Sequence, residues 1–239
     1  MIRNLKALGL ALVAVLAMGA VVGGASASAA TFHSEVEKTI VTGESTGNHV
    51  FSSGSLAITC KKATFKGTSI GTGSAGNFTA STLTLHPTYE ECSDNVFGAS
   101  DTVDTTGCNY VFNATTNGTG HLPSNIECTE GYKIKVTASG CTLEFGEQNT
   151  TGGVKNTNTG SGKTRDVDAE ATVTASFTKT GSLCFLVSGT TGLYTGQTTL
   201  RGYEDKGVTG PIDETHGVAP GTDTTAVYTE GSQVGIWWE

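Results

Sequence analysis

The chain has 239 residues, of which 33 are Gly and 15% are charged, and its formal net charge is −8. This acidic balance argues against a nucleic-acid-binding protein, which needs basic side chains to neutralise phosphates. The hydrophobic content of 36% is low, but the chain is rich in Thr, whereas a disordered chain would carry more charge and fewer β-branched residues. We therefore expect a folded, acidic protein.

The first thirty residues have the composition of a secretory signal peptide. Arg3 and Lys6 precede an apolar run over 7–22, and small residues follow over 25–30. A membrane anchor is the alternative interpretation, but this run is shorter than the roughly 20 residues that span a bilayer. Cleavage is expected after one of three alanines, Ala27, Ala29 or Ala30. We predict a signal peptide at 1–30 and a secreted mature chain without a membrane span.

Six cysteines lie in the predicted mature chain: Cys60, Cys92, Cys108, Cys128, Cys141 and Cys184. In an oxidising compartment an even number predicts three disulfides, for which fifteen connectivities are possible. The alternative is a set of buried free thiols. No two cysteines form the CxxC pair that a zinc ribbon or redox motif needs, and we predict no cofactor and no metal.

Alternating apolar and polar residues predict strands. The clearest case runs from Asp166 to Thr178, and the segments 132–138 and 141–145 predict a hairpin around Ser139-Gly140. Shorter segments separated by turn-forming residues are further strand candidates: 36–41, 55–60, 63–67, 78–86, 108–113, 124–128, 183–188, 197–203, 224–229 and 233–238. This pattern predicts an all-β fold, an antiparallel β-sandwich of Greek-key or jelly-roll type with disulfides.

Two polar stretches interrupt the strand pattern. The first, 146–165, contains a single apolar residue and predicts a long loop. It could divide two β-domains, but each half has few large apolar residues, so we expect one domain over 31–239. The second, from Asp205 to Asp223, contains Pro211 and Pro220 and predicts a mobile segment.

Strand geometry favours one set of disulfides. A hairpin of 108–113 with 124–128 brings Cys108 and Cys128 to the same end. If 124–128 continues as a meander into the next hairpin, Cys128 and Cys141 lie about 20 Å apart, too far for a bond. Two further pairs follow by elimination: Cys60 with Cys92, and Cys141 with Cys184.

Three segments match functional motifs by letters alone. Residues 71–76 have the spacing of a dinucleotide-binding loop and 159–164 resemble the end of a P-loop, but neither leads into a predicted helix. Ser69 lies in a Gly-x-Ser-x-Gly sequence typical of serine hydrolases, with His216 as the best-placed base, yet again no helix follows. We expect solvated loops and chance matches rather than active sites.

Carboxylates and tryptophans are the remaining candidates. Two groups of acids could bind calcium or could simply be solvated: Asp94, Asp101 and Asp104, and Asp205, Asp213 and Asp223. The chain ends in Trp237-Trp238-Glu239, which predicts a last strand packed on the core. One alternative is an exposed tryptophan pair that stacks on sugar rings. Another is the terminus of an outer-membrane barrel, against which the six cysteines and the few aromatic residues argue.

Four segments resemble those of exported, cysteine-containing β-proteins that some soil actinobacteria encode in multiple copies. They are 59–67, 83–92, 107–112 and 194–202, and the similarity covers most of residues 50–203. The resemblance implies a secreted β-rich protein. It implies no activity and no catalytic or binding residue.

The sequence places no active site, and we expect a secreted non-catalytic binding module. Its expected partner is an extracellular glycan or cell-wall component. One alternative is an extracellular hydrolase acting on polysaccharide or ester, whose catalytic residues come from distant strands. Another is an inhibitor or toxin-like effector that presents the segment 146–165.

Overall fold

The computed structural model describes residues 31–113, 121–209 and 227–239. Regular structure in these ranges consists of antiparallel strands and two short 3-10 helices, Gly162–Thr164 and Cys184–Leu186. The predicted signal peptide and the candidates His216, Asp213 and Asp223 lie outside the described residues.

Twenty strands are formed in these ranges. Those up to residue 113 are β1 (Phe32–Ser34), β2 (Lys38–Ser45), β3 (His49–Ser53), β4 (Leu56–Ile70), β5 (Thr72–Ser74), β6 (Asn77–Ala80), β7 (Thr82–Asp94), β8 (Ser100–Asp104) and β9 (Cys108–Asn113). The others are β10 (His121–Leu122), β11 (Ser124–Cys128), β12 (Ile134–Ala138), β13 (Cys141–Phe145), β14 (Gln148–Asn149), β15 (Thr151–Thr159), β16 (Asp166–Ser176), β17 (Thr178–Thr180), β18 (Thr191–Thr209), β19 (Val227–Val234) and β20 (Ile236–Trp238).

The main sheet closes on itself. β4 pairs with β7, β7 with β9, and β9 with β11. β11 pairs on its other side with β14. β10, which is separated from β11 only by Pro123, pairs with β15. β15 pairs with β16 and β16 with β18, and β18 pairs with β2 and β3, which both return to β4. These pairings form a closed ring of strands, which we call the strand ring, and its inner faces share one core cluster. The fold is an all-β antiparallel sandwich with three disulfides, as the sequence predicts.

Smaller elements lie beside the strand ring. The hairpin of β12 and β13 pairs with β8 on one side and β17 on the other. The predicted hairpin is thereby confirmed, and both residues of its turn, Ser139 and Gly140, have positive φ, as a two-residue type I′ turn requires. A four-stranded sheet in the order β20-β1-β6-β5 contains the last strand of the chain.

The predicted strand over 166–178 is confirmed as β16. Val167, Val173 and Ala175 are buried, whereas Asp168 and Glu170 are exposed. Period two thus separates a face inside the strand ring from a face in water. The same alternation recurs on β13, where Cys141, Leu143 and Phe145 are buried.

Three sequence-based expectations need correction. The segment 146–165 is not a loop, because β15 pairs with β16 over nine residue pairs. The segment 183–188 forms a 3-10 helix rather than a strand. The strand 124–128 pairs with β9 and β14 and does not continue into a meander.

The polar composition of β15 is compatible with a strand because its backbone makes the pairing. Its outward side chains face water, and its glycines allow close approach. A Cβ on Gly152 would lie 2.2 Å from the Thr172 carbonyl oxygen, and one on Gly153 would lie 2.7 Å from that of Leu122. Glycine and polar residues, which predict a loop in sequence, here permit tight strand packing.

All six predicted cysteines form disulfides, in the three predicted pairs. Cys60–Cys92 joins β4 to β7, and Cys108–Cys128 joins β9 to β11, each pair directly opposite in register. Cys141–Cys184 joins β13 to the second 3-10 helix. Two of the three bonds therefore crosslink neighbouring strands of the strand ring.

Candidate functional site

A cavity of about 80 Å³, partly open to solvent, lies inside the strand ring. Its wall on β16 and β18 presents small residues at alternate positions: Ala169, Ala171, Ala175, Gly192 and Gly196. Larger apolar side chains form the facing wall: Phe51, Phe65, Leu83, Leu85 and Phe112. The interior of a small closed ring of strands is either filled by side chains or holds one small ligand. The small residues on two adjacent strands leave this interior underfilled.

The cavity lining is mostly apolar and has no formal charge; its polar residues outside the tyrosines and His49 are Ser52, Ser124, Asn125, Thr150, Asn156 and Thr198. None of the described residues that line it is Asp, Glu, Lys or Arg. Tyr110, Phe112 and Tyr194 point inward and still keep part of their surface accessible. An ionic ligand would lose its hydration here without gaining a counter-charge. Burying such an unpaired ion costs on the order of several kcal/mol.

A cluster of one histidine and three tyrosines provides the main polar feature inside the strand ring. We call His49, Tyr89, Tyr110 and Tyr194 the His–Tyr cluster. The His49 Nδ1 atom lies 2.7 Å from the Tyr194 hydroxyl oxygen. The Tyr89 hydroxyl oxygen lies 3.0 Å from that of Tyr194 and 3.1 Å from that of Tyr110. These contacts connect four strands, β3, β7, β9 and β18.

The cluster is neutral at physiological pH. Burial lowers the pKa of His49, because the imidazolium would lose its hydration, and the carbonyl of Gln197 only partly opposes this effect. Burial also raises the pKa of Tyr110 to about 12 and raises the pKa of Tyr89 and Tyr194 well above the ordinary value of a tyrosine. The tyrosines therefore remain hydroxyl groups that donate and accept hydrogen bonds.

Gly196 makes room for the imidazole of His49. A Cβ at this position would lie 2.3 Å from His49 Nδ1, well inside van der Waals contact. Any larger residue would displace the ring from Tyr194. The glycine is thus a steric requirement of the His–Tyr cluster.

The two tryptophans pack on the core, which confirms the first interpretation of the chain end. Trp238 lines the cavity and lies edge-on to Phe32, with ring centroids 5.4 Å apart. Its indole Nε1 is buried and has no hydrogen-bond partner. Trp237 stacks on the His33 ring, and the guanidinium of Arg165 also lies over the indole, 4.6 Å from its centroid. Neither ring is exposed enough to form a sugar-stacking platform.

Asp94, Asp101 and Asp104, the acidic group that the structure describes in full, do not assemble into a metal site. Asp94 accepts hydrogen bonds from the backbone N–H groups of Val96 and Phe97 and from the Ser139 hydroxyl. Asp104 accepts one from the N–H of Thr106. Among the residues that the structure describes, no three His, Cys, Asp or Glu side chains are grouped for metal binding.

The motif matches lie in ordinary strands and turns. Ser69 is buried within β4 and its hydroxyl has no hydrogen-bond partner, so it does not lie on the sharp turn of a hydrolase nucleophile. Residues 71–76 contain β5 and the turn that leads into β6. Residues 159–164 join the end of β15 to the first 3-10 helix.

Sequence reasoning missed the His–Tyr cluster. His49 and Tyr194 are 145 residues apart in the chain, and no local spacing connects them. Each lies on a strand whose alternation predicts only that some residues point inward. The available signal was the run of Ala and Gly at alternate positions of β16 and β18, which indicates an underfilled interior.

Comparisons with protein families, curated proteins and solved structures gave no match. Within the three described ranges, no helix is long and apolar enough to cross a bilayer.

Proposed function

We propose that this chain is a secreted, non-catalytic binding protein that holds a small molecule inside the strand ring. The observation that carries the proposal is the uncharged interior cavity of about 80 Å³. Two disulfides crosslink neighbouring strands of its wall, β4 with β7 and β9 with β11. A preformed, mostly apolar pocket with a few polar groups is the usual form of a small-molecule site.

Two features support secretion. The composition of 1–30 is that of a signal peptide, and disulfides persist in oxidising compartments. Expression of the full chain in a secreting bacterial host should release protein into the medium. Amino-terminal sequencing should find a start at residue 28, 30 or 31. Full-length protein retained in the cells would contradict this part of the proposal.

Native mass spectrometry of the secreted protein tests the binding function. We expect a population with additional mass that disappears when the protein is unfolded, and organic extraction should release the corresponding molecule. A glycan array on the same material tests the expected glycan or cell-wall partner. A panel of esters and polysaccharides tests the hydrolase alternative. Turnover in that panel, with no bound molecule, would overturn the proposal.

A further inference from the structure

From the hydrogen-bond pattern in the cavity we infer that the ligand is a neutral, largely apolar molecule with one hydroxyl or carbonyl oxygen, bound against Tyr110. This inference rests on the proposed function and adds the ligand's chemical class and its polar contact. Three observations support it: the number of hydrogens that the His–Tyr cluster has for its hydrogen bonds, the absence of charged side chains from the described cavity lining, and the cavity volume.

The hydrogen count begins at His49. Its Nε2 atom lies 3.2 Å from the carbonyl oxygen of Gln197, which can only accept, so Nε2 carries the ring hydrogen. Nδ1 is then an acceptor, and the Tyr194 hydroxyl donates to it. The neutral state that burial favours for His49 is the state that this arrangement needs.

The count ends at Tyr110. A hydroxyl has one hydrogen, so Tyr89 donates either to Tyr194 or to Tyr110. In the first case the Tyr110 hydroxyl donates to Tyr89, and the Tyr110 oxygen accepts no hydrogen bond within the cluster. In the second case the Tyr110 hydrogen has no acceptor within the cluster. Either way Tyr110, which lines the cavity, keeps one unused hydrogen-bonding position.

A second unused hydrogen-bonding position belongs to the same cavity lining. Trp238 borders the cavity, and its buried indole N–H has no partner. An oxygen atom on the ligand satisfies either group, because it accepts from an N–H or an O–H, and a hydroxyl also donates. A pure hydrocarbon would leave both positions unpaired.

Charge and volume define the rest of the ligand. The described lining contains no Asp, Glu, Lys or Arg, and the one histidine, His49, has a pKa lowered by burial, so the cavity offers no charge to pair with an ion. The cavity of about 80 Å³ is roughly six times the 10–15 Å³ that one water molecule needs. This space suits a compact molecule, such as a single substituted aromatic or alicyclic ring.

Calorimetric titration with para-cresol, toluene and 4-methylbenzoate tests the inference, since the three share a ring and differ in the polar group. We expect para-cresol to bind more tightly than toluene and 4-methylbenzoate not to bind. Tyr110→Phe should weaken para-cresol binding roughly three- to tenfold, the effect of one hydrogen bond, and leave toluene unchanged. Equal binding of para-cresol by the wild type and Tyr110→Phe would overturn the contact with Tyr110.

Ala171→Leu should fill the cavity and abolish binding of both neutral probes. Thr172→Leu is the matched control, because it adds the same side chain at the next position of β16, which is exposed. Ala171→Val provides a smaller filling if the leucine variant does not fold, as judged by circular dichroism. Binding that survives filling in a folded variant would place the probes elsewhere and overturn the inference.

The proposed function can be right when this inference is wrong. A charged molecule or a glycan recovered with the secreted protein, together with no binding of para-cresol, would leave a binding protein whose ligand class differs from the one inferred. Failure of every probe, with no recovered molecule, would overturn both.

Discussion

Asp101 is the least compensated charge among the described residues. It lies on β8 with only 8% of its surface exposed, and neither carboxylate oxygen has a hydrogen-bond partner. Burial, together with the charge of Asp94, raises its pKa from 3.8 to about 6. Asp94 differs because hydrogen bonds from Phe97, Ser139 and Val96 outweigh its burial and lower its pKa. Neighbouring carboxylates thus have opposite shifts.

Asp101→Asn should stabilise the protein at neutral pH. The folded state holds the Asp101 proton more tightly than the unfolded state, so ionisation costs stability as the pH rises from 3.8 towards about 6. Removing the charge should raise the free energy of unfolding by about 1–2 kcal/mol at pH 7.5. At pH 4 the two proteins should differ little.

Urea unfolding at pH 4 and pH 7.5 measures this difference. Glu170→Gln is the control, because it also replaces one acid by its amide, at an exposed position of β16. An equal loss of stability at both pH values in Asp101→Asn would show that the carboxylate has a structural role that the amide cannot fulfil.

At the scale of elements, β15 completes the strand ring. It pairs with β16 along its length and with β10 at Val154 and Lys155. Lys155 therefore has a strand on either side. It lies opposite Glu170 of β16 on one side and opposite His121 of β10 on the other. Without this strand the wall beside Ala169 and Ala171 would be open to solvent. The element that sequence composition assigns to a loop is the one that closes the cavity.

Lys155→Pro should destabilise the protein by at least about 2 kcal/mol, because proline removes a ladder N–H and fits poorly within a paired strand. Chemical unfolding measures the change. Glu130→Pro is the matched control. Glu130 follows Thr129, whose carbonyl accepts from the Tyr132 N–H, and precedes Gly131 with φ 86°, the geometry of a type II turn that favours proline at its second residue. Equal tolerance of both prolines would support a loop at 146–165.

At the scale of the whole molecule, disulfides and strand pairing stabilise the same closed structure. The bonds enclose sequence separations of 32, 20 and 43 residues. Loop-closure entropy depends on the logarithm of these lengths, so it differs little among them. The three bonds restrict the unfolded chain by similar amounts although they lie in different parts of the fold.

Replacing each cysteine pair by alanines should therefore cost about 3–4 kcal/mol, with differences below about 1 kcal/mol among the three pairs. Urea midpoints of the three double variants measure this. The variant without Cys141 and Cys184 leaves both crosslinks of the strand ring in place and serves as the internal comparison. A bond whose removal has no effect, beside another whose removal prevents folding, would contradict the entropic explanation.

The sequence by itself determined the features that depend on neighbouring residues. Period-two alternation located β16 and the hairpin of β12 and β13, because one face of each strand is buried and the other is in water. The pairing of Cys108 with Cys128 followed from a hairpin between segments close in the chain. The packing of Trp238 followed from its size and apolar surface.

Only the tertiary structure decided that β10 and β15 meet to close the strand ring and that His49, Tyr89, Tyr110 and Tyr194 converge inside it. Alternation states that a side chain points inward and does not state which distant side chain it meets. The same limit concealed β15, since strand pairing is made by backbone groups that every residue except proline has in full. The cavity, the charge-free lining and the inferred ligand class follow from these long-range contacts.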